Sequence, residues 1–564
     1  MAHRKTVVLA VALTIVTLLV TQCAPAPVAA PTSVPQPTSA PPATSAPAAT
    51  AAPKPTIAPT QAPSGGAANT LVYVADTSDM ISLDPAVSYE FGGNLVVHQA
   101  YETLVRFEGT DLSVLKPGLA EKWDIKDAGD RWEVTFRLRS GVKFASGNPL
   151  TADDVVFSFQ RVLALNKSPA FLFSDIAQLK PDGIKATDPN TVVISLPKTA
   201  SPQGFLAILT FTVGSIVDSK QVQSHVTGND YGSAWLLDRS AGSGPYVVDH
   251  WQKETEVLLK ANPNYGGSKP ALSAVLIKHI PEATNQRSAL EKGDADIARN
   301  LSPEQVAALK GNSSVSIAKG DSLLLVYVGM NATVKPLDNV KVREAMRMAV
   351  DYDGIINDLL SGNGKKVQGI IPSGLAGFNP SAPFQQNIDQ AKALLKEAGQ
   401  DKGFTLELLV PTGPAPGGVA WADLAAKLQA DWAKIGVTVN IKQTTQAELL
   451  GTYRAQKGQL VLILWGPDFP DPDANAGPFT DYNAKSISFR NAWQDPIADK
   501  ARAAALIADP TQRAAAYKEI TDYVLHNGPY VILYQVSENF GLRANVKGFT
   551  WSPIGWTDFW TISK

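Results

Sequence analysis

Three features of the chain predict an α/β fold of two or three domains. It has 564 residues, too many for one ordinary hydrophobic core. Between residues 404 and 465 it repeats a strand, helix, strand rhythm. Its composition, 45% hydrophobic and 18% charged, is that of a soluble globular chain. The formal net charge of −2 argues against an electrostatic nucleic-acid binder, which needs a basic surface. The single cysteine, Cys23, excludes an intramolecular disulfide framework and any cysteine-cluster metal site.

Residues 1–23, "MAHRKTVVLAVALTIVTLLVTQC", begin with Arg4 and Lys5 and continue as an apolar run from Val7 to Val20. That is the layout of a secretory signal peptide. The run is shorter than the ~20 apolar residues a spanning helix needs. "LVTQC" resembles the bacterial lipoprotein cleavage box, in which the cysteine is lipidated; Gln22 stands where that box has a small residue. The expectation is a protein anchored by acyl chains on Cys23 outside the cytoplasmic membrane. Residues 24–68 are almost wholly Ala, Pro, Thr and Ser and cannot build a packed core, so they read as a disordered spacer.

The folded part starts near residue 69. "RWEVTFRLRSGVKF" alternates apolar and polar residues at Trp132, Val134, Phe136 and Leu138, which predicts a half-buried strand. "TADDVVFSFQRVL" opens a helix at Thr151. In "DNVKVREAMRMAVDYDGII", Val342, Ala345, Met346, Ala349 and Val350 form one apolar stripe, with Asp338 or Asn339 as cap. Lys341, Arg343, Glu344 and Arg347 fall on other faces of that helix. "NIDQAKALLKEAG" is a helix stopped at Gly399. The strand "FTLELLV", the helix "WADLAAKLQADWAKIG" ending at Gly436 and the strand "VTVNIKQ" make a βαβ unit, and "LVLIL" is the next strand.

That last strand runs into "WGPDFPDPD". Ligands of open α/β sheets bind beyond the carboxyl ends of strands, which draws notice to Trp465 and Asp468. Asp471 and Asp473 read as turn chemistry, with proline fixing φ and aspartate bonding its own backbone. The three acids lack the spacing and terminal Glu of an EF-hand loop. Two carboxylates across a cleft could serve a glycosidase, but their separation is not written in the sequence. There is no HExxH, no P-loop or GxGxxG spacing and no Gly-x-Ser-x-Gly elbow, so no catalytic or metal constellation emerges.

Several stretches, in order, resemble family 5 of the bacterial extracellular solute-binding proteins, the peptide- and nickel-type receptors of ABC importers. They are "LDPAVSYEFGGNLVVHQAYETLVRFE", "LKPGLAEKWDIKDAGDRWEVTFRLRSGVKFASGNPLTADDVVFSF", "GSGPYVVDHW", "EKGDADI", "VYVGMNATVKPLDNVKVREAMRMAVDYDGII" and "WGPDFPDPD". The resemblance implies a two-lobed periplasmic-binding-protein fold of type II with an added domain. Residues 69–104, about 236–325 and about 528–564 would form lobe I. About 105–235 would be the inserted domain and about 326–527 lobe II.

It further implies a non-enzymatic receptor without cofactor, a monomer that captures a small solute, foremost a di- or oligopeptide. The partners would be membrane permease subunits with their cytoplasmic ATPases. By the same resemblance, Asp468 would take the peptide ammonium beside Trp465 and Gly466. Ser88, Tyr89, Glu90 and Phe91 would lend backbone groups to the ligand. No residue is assigned to the ligand carboxylate. The alternatives are a surface-anchored glycoside hydrolase and a receptor for an oligosaccharide or a nickel chelate.

Overall fold

Two long antiparallel strands, Val315–Met330 and Tyr530–Arg543, run side by side through the middle of the molecule. Every second residue of the first points the same way. Val326, Val328 and Met330 enter one buried cluster, and Leu325 and Tyr327 enter another on the opposite face. The strand Leu460–Trp465 behaves likewise, with Leu460 and Leu462 on one side and Val461 and Ile463 on the other. Its unbroken apolar run therefore reflects a sheet covered on both faces.

The chain is described by a computed structural model over residues 69–299 and 301–564. The expected signal peptide, Cys23 and the spacer 24–68 lie outside the described residues. The central strands belong to an eleven-stranded mixed sheet. On one side of the pair lie Leu460–Trp465, then Phe404–Pro411, then Val437–Thr444. On the other lie Ile297–Arg299, Thr70–Ala75, Ala274–His279, Glu256–Ala261 and Tyr246–Gln252. Gly364–Lys365 pairs alongside Tyr530–Arg543.

The βαβ unit forms as its pattern predicts. Phe404–Pro411 is parallel to Val437–Thr444, and the helix Trp421–Ala433 connects them. Gly399 and Gly436 have φ of +70° and +84°, the left-handed conformation that ends a helix.

A separate four-stranded antiparallel sheet runs in the order Ala120–Asp127, Arg131–Leu138, Thr191–Pro197, Ile184–Asp188. Val134, Phe136 and Leu138 face its core, together with Phe159 of the helix Ala152–Leu165. That helix begins with a reciprocal capping box between Thr151 and Asp154. Far along the chain, Trp551, Trp556, Phe559 and Ile562 enter the same cluster as Leu71 and Tyr73 of the first strand. The rings of Tyr73 and Phe559 meet edge-on at 5.2 Å.

The helix Val340–Met348 buries its expected stripe and is capped by the Asn339 side chain. Its arginines depart from the simple amphipathic reading: Arg343 is 3% exposed and Arg347 1%. Both guanidinium groups donate to main-chain carbonyls at and just past the end of the helix Pro510–Asn527. Arg343 reaches Asn527 O at 2.6 Å, and Arg347 reaches His526 O and Gly528 O. Carbonyls at a helix C-terminus have no partner inside the helix, and these side chains supply one. Burial, with the Arg343 cation close by, pushes the Arg347 guanidinium down to about 10. Among the described residues no helix is long and apolar enough to cross a membrane.

Candidate functional site

The strand Leu460–Trp465 is held in register by Val315–Met330, with Leu325 opposite Trp465. The chain then leaves the sheet through Gly466. A Cβ there would sit 2.5 Å from Leu324 Cδ2, so the loop passes close over the neighbouring strand. Pro467 and Pro470 stiffen the loop beyond it. Phe469, 5% exposed, packs into the core of the smaller sheet domain and pins the loop from outside. Asp468, just before it, is half-buried. Trp465 is fixed by its Nε1, which donates to Ala474 O at 3.2 Å, and by the edge of Phe479 at 6.3 Å.

Facing Asp468 is the loop after the first strand. The Asp of "LDP", Asp84, is fully buried and receives both guanidinium arms of Arg161 at 2.8 and 2.6 Å. Ser233 Oγ adds a third hydrogen bond at 2.6 Å. This pairing ties the loop to the helix Ala152–Leu165 and fixes where residues 88–91 emerge.

The Ser88 hydroxyl donates to Asn94 Oδ1 at 3.2 Å, and its carbonyl accepts from Thr212 Oγ1 at 3.0 Å. The Tyr89 carbonyl accepts from Asn94 Nδ2 at 3.0 Å. Glu90 is the N-cap of the helix Phe91–Ala100, and Phe91, its first residue, is 54% exposed. The backbone carbonyls of Ser88 and Tyr89 thus already have partners within the fold.

What this loop sends toward Asp468 is a side chain. The Tyr89 hydroxyl donates to Asp468 Oδ1. The Tyr89 ring is gripped edge-on by Phe171 and Phe211, each 6.0 Å away. Burial, reinforced by the adjacent carboxylate, pushes the phenol far above its ordinary range. Burial also raises the Asp468 carboxyl, while the Tyr89 hydrogen bond pulls it back. Trp465 and Asp468 line a cavity of about 540 Å³ together with Ile176, Gly204, Phe205 and Asp473. A half-buried carboxylate beside an indole, at the wall of a largely apolar cavity, is suited to a cationic group carried on an apolar body.

The site thus gathers Trp465, Gly466, Asp468 and Tyr89. The sequence did not point to the Tyr89 hydroxyl, nor to Phe171 and Phe211, because rings brought together from distant segments leave no local spacing. Asp471 does make the expected turn bond, its Oδ1 accepting from Asp473 N at 2.8 Å, whereas the Asp473 side chain turns to another side chain instead of its own backbone. Asp471 has a second role, a buried two-armed pair with Arg513. Asp473 accepts from the Tyr517 hydroxyl at 3.1 Å, and burial, with Asp471 close by, raises its carboxyl to about 6. Among the described residues no group of three or more His, Cys, Asp or Glu is arranged to hold a metal ion.

Comparison with known proteins gives a consistent picture. The family described as "Bacterial extracellular solute-binding proteins, family 5 Middle" matches residues 114–486. The probable D,D-dipeptide-binding periplasmic protein DdpA of Escherichia coli (strain K12) is 32% identical over 491 residues, covering 86% of this chain and 92% of that protein. The solved structure of HbpA2 from Haemophilus parasuis superposes with a TM-score of 0.78 at 28% identity, covering 88% of this chain and 99% of the other. DppA from Helicobacter pylori, an ABC transporter-associated periplasmic binding protein in complex with the peptide STSA, superposes with a TM-score of 0.69 at 25% identity. That match covers 87% of this chain and 97% of the other.

Proposed function

The chain belongs to the bacterial extracellular solute-binding proteins of family 5, with a type II periplasmic-binding-protein fold, and from that premise we propose that it captures a di- or tripeptide and delivers it to an ABC importer. The observation that carries this reading is Asp468, a half-buried carboxylate on the cavity wall beside Trp465. A peptide ammonium entering that cavity loses its water and needs a charged acceptor. A carboxylate provides a charge-assisted hydrogen bond.

In this reading the wing of the large sheet that contains the first strand forms lobe I, the wing of the βαβ unit forms lobe II, and the four-stranded sheet is the inserted domain. The two long central strands join the lobes. Ligand favours the closed arrangement, and the closed arrangement docks on the permease. The relatives bear the names of binding proteins, and we read this chain as a receptor without turnover. Acylated Cys23 and the spacer 24–68 would tether a monomeric receptor outside the cytoplasmic membrane.

Thermal unfolding of the purified protein with di-, tri- and oligopeptides, cello- and malto-oligosaccharides and nickel–histidine tests the reading. A ligand at a hundred times its Kd adds ~2.7 kcal/mol, so the true class raises Tm and the others leave it unmoved. Stabilisation by sugars or by the nickel chelate, with none by peptides, overturns the peptide assignment.

A further inference from the structure

We propose that the cavity beside Asp468 takes a ligand with two cationic centres, foremost a peptide whose first residue is lysine or arginine: its α-ammonium meets Asp468 and its side-chain cation meets Asp473. The inference rests on the reading of Asp468 as the ligand's anchor and narrows the class of peptide that the cavity selects.

Four charged side chains line the cavity: Asp468, Asp473, Asp481 and Arg502. The last two offset each other. Arg502 donates from Nη1 to Asp481 Oδ2 and from Nη2 to the exposed Asp499. Asp481 Oδ1 is also taken, by Asn483 N at 2.9 Å. Asp468 and Asp473 remain, and among the described residues neither forms an ion pair. A phenol serves each of them. The Tyr89 hydroxyl donates to Asp468 Oδ1, and the Tyr517 hydroxyl donates to Asp473 Oδ1 at 3.1 Å. Arg513 is near enough to lower the Asp473 carboxyl, but its two-armed pair is with Asp471.

Burial raises both carboxyls. A carboxylate drawn out of water gains more from a cation than from a neutral hydroxyl. The other oxygen of each, Oδ2, has no hydrogen-bond partner among the described residues. A cationic donor can therefore join either carboxylate without displacing its phenol.

The rest of the wall suits the carbon of such a ligand. Phe205 and Ile208 come from the helix Pro202–Ile208, and Leu506 follows the helix Ile497–Ala505. Lysine and arginine lay their methylene stems along apolar surface while the charged head reaches a polar group. Trp465 adds an indole to the same lining, and an indole face attracts a cation. A cavity whose lining carries surplus negative charge also concentrates cations from solution.

The test is isothermal calorimetry on the full-length protein, freed of ligand by unfolding and refolding, with the matched dipeptides Lys-Ala and Nle-Ala. Norleucine keeps the four-carbon stem of lysine and lacks its ammonium. Wild type is expected to bind Lys-Ala about tenfold or more tighter than Nle-Ala. Asp473→Asn keeps an acceptor for Tyr517 and removes the charge. It should bind Nle-Ala as wild type does and lose the preference for Lys-Ala.

Equal affinities of wild type for the two dipeptides overturn the proposal, and so does a preference that survives in Asp473→Asn. The wild-type comparison needs no variant, so it decides even where Asp473→Asn does not fold. The peptide reading outlives either result, because Nle-Ala still binds. Where neither dipeptide binds, that reading fails, and the diamine cadaverine against the monoamine pentylamine decides the inference. Tighter binding of the diamine supports it, and no difference overturns it.

Discussion

Arg513 and Asp471 face each other through two parallel hydrogen bonds of 2.7 Å, with both side chains buried. Asp471 lies three residues beyond Asp468, in the loop, and Arg513 lies on the helix Pro510–Asn527. The pair anchors the foot of the loop that carries Trp465 and Asp468. It answers why a buried strand opens into so acidic a turn: one acid anchors the loop, one stands at the cavity, and the third begins the helix Asp473–Thr480.

Removing one partner of this pair strands the other. Arg513→Ala is expected to cost ~3–5 kcal/mol, because a buried carboxylate is left without its cation. Urea unfolding monitored by tryptophan fluorescence measures it. A loss below about 1 kcal/mol, the range of surface pairs, would show that the Asp471 carboxylate finds other compensation.

Asp468→Ala should weaken the binding of a peptide ligand by on the order of 10²-fold while leaving the fold intact, since among the described residues half-buried Asp468 has no ion-pair partner to strand. Isothermal calorimetry with the best peptide from the thermal screen reads the change. Equal affinity in the variant would remove Asp468 from the recognition of the ligand.

Asp473 gives the protein a pH-dependent contribution to stability. Burial, then Asp471, lift its carboxyl from the ordinary carboxylate range to about 6. Between about pH 4 and 6 the folded protein keeps a proton there that the unfolded chain releases. This contribution is therefore complete below about pH 4 and is lost as pH rises through 6, on the order of 3 kcal/mol across the window. Asp473→Asn retains an acceptor for Tyr517 and should flatten that part of the profile. Urea midpoints at pH 4.5 and pH 7.0 make the comparison, and parallel profiles for wild type and variant would contradict it.

Cys23→Ser should release the protein from membranes in a bacterial expression host, because no acyl chain can then be attached. Fractionation with immunoblotting detects the release, and metabolic labelling with a clickable fatty acid should mark the wild type alone. A variant that remains with the membrane pellet would indicate that the apolar segment 7–20 is retained as the anchor.

Much of this architecture was legible in the residues. The alternation of Val134, Phe136 and Leu138, the stripe from Val342 to Val350 and the glycines at 399 and 436 each encode a local rule, and the rule held. Trp465 and Asp468 stood out because a strand end in an α/β sheet is a place where ligands bind. Arg343 and Arg347 misled, because a charged residue buried by main-chain carbonyls has the same letter as one in water. Tyr89 stood out only for its backbone, and the meeting of its hydroxyl with Asp468 was hidden for a different reason. Its setting depends on Phe171, Phe211 and Asp468, and nothing in their spacing along the chain foretells that they converge.

Tyr73, in the first strand, rests against Phe559, and Trp551, Trp556 and Ile562 complete the same cluster. Synthesis delivers Tyr73 early and Phe559 very late. Until those last aromatics leave the ribosome, the opening strand has no finished core to join, and so many long-range pairings make folding slow. A nascent polypeptide kept loose in this way leaves apolar strands uncovered until its last residues are made, and that interval is when it is most exposed to aggregation.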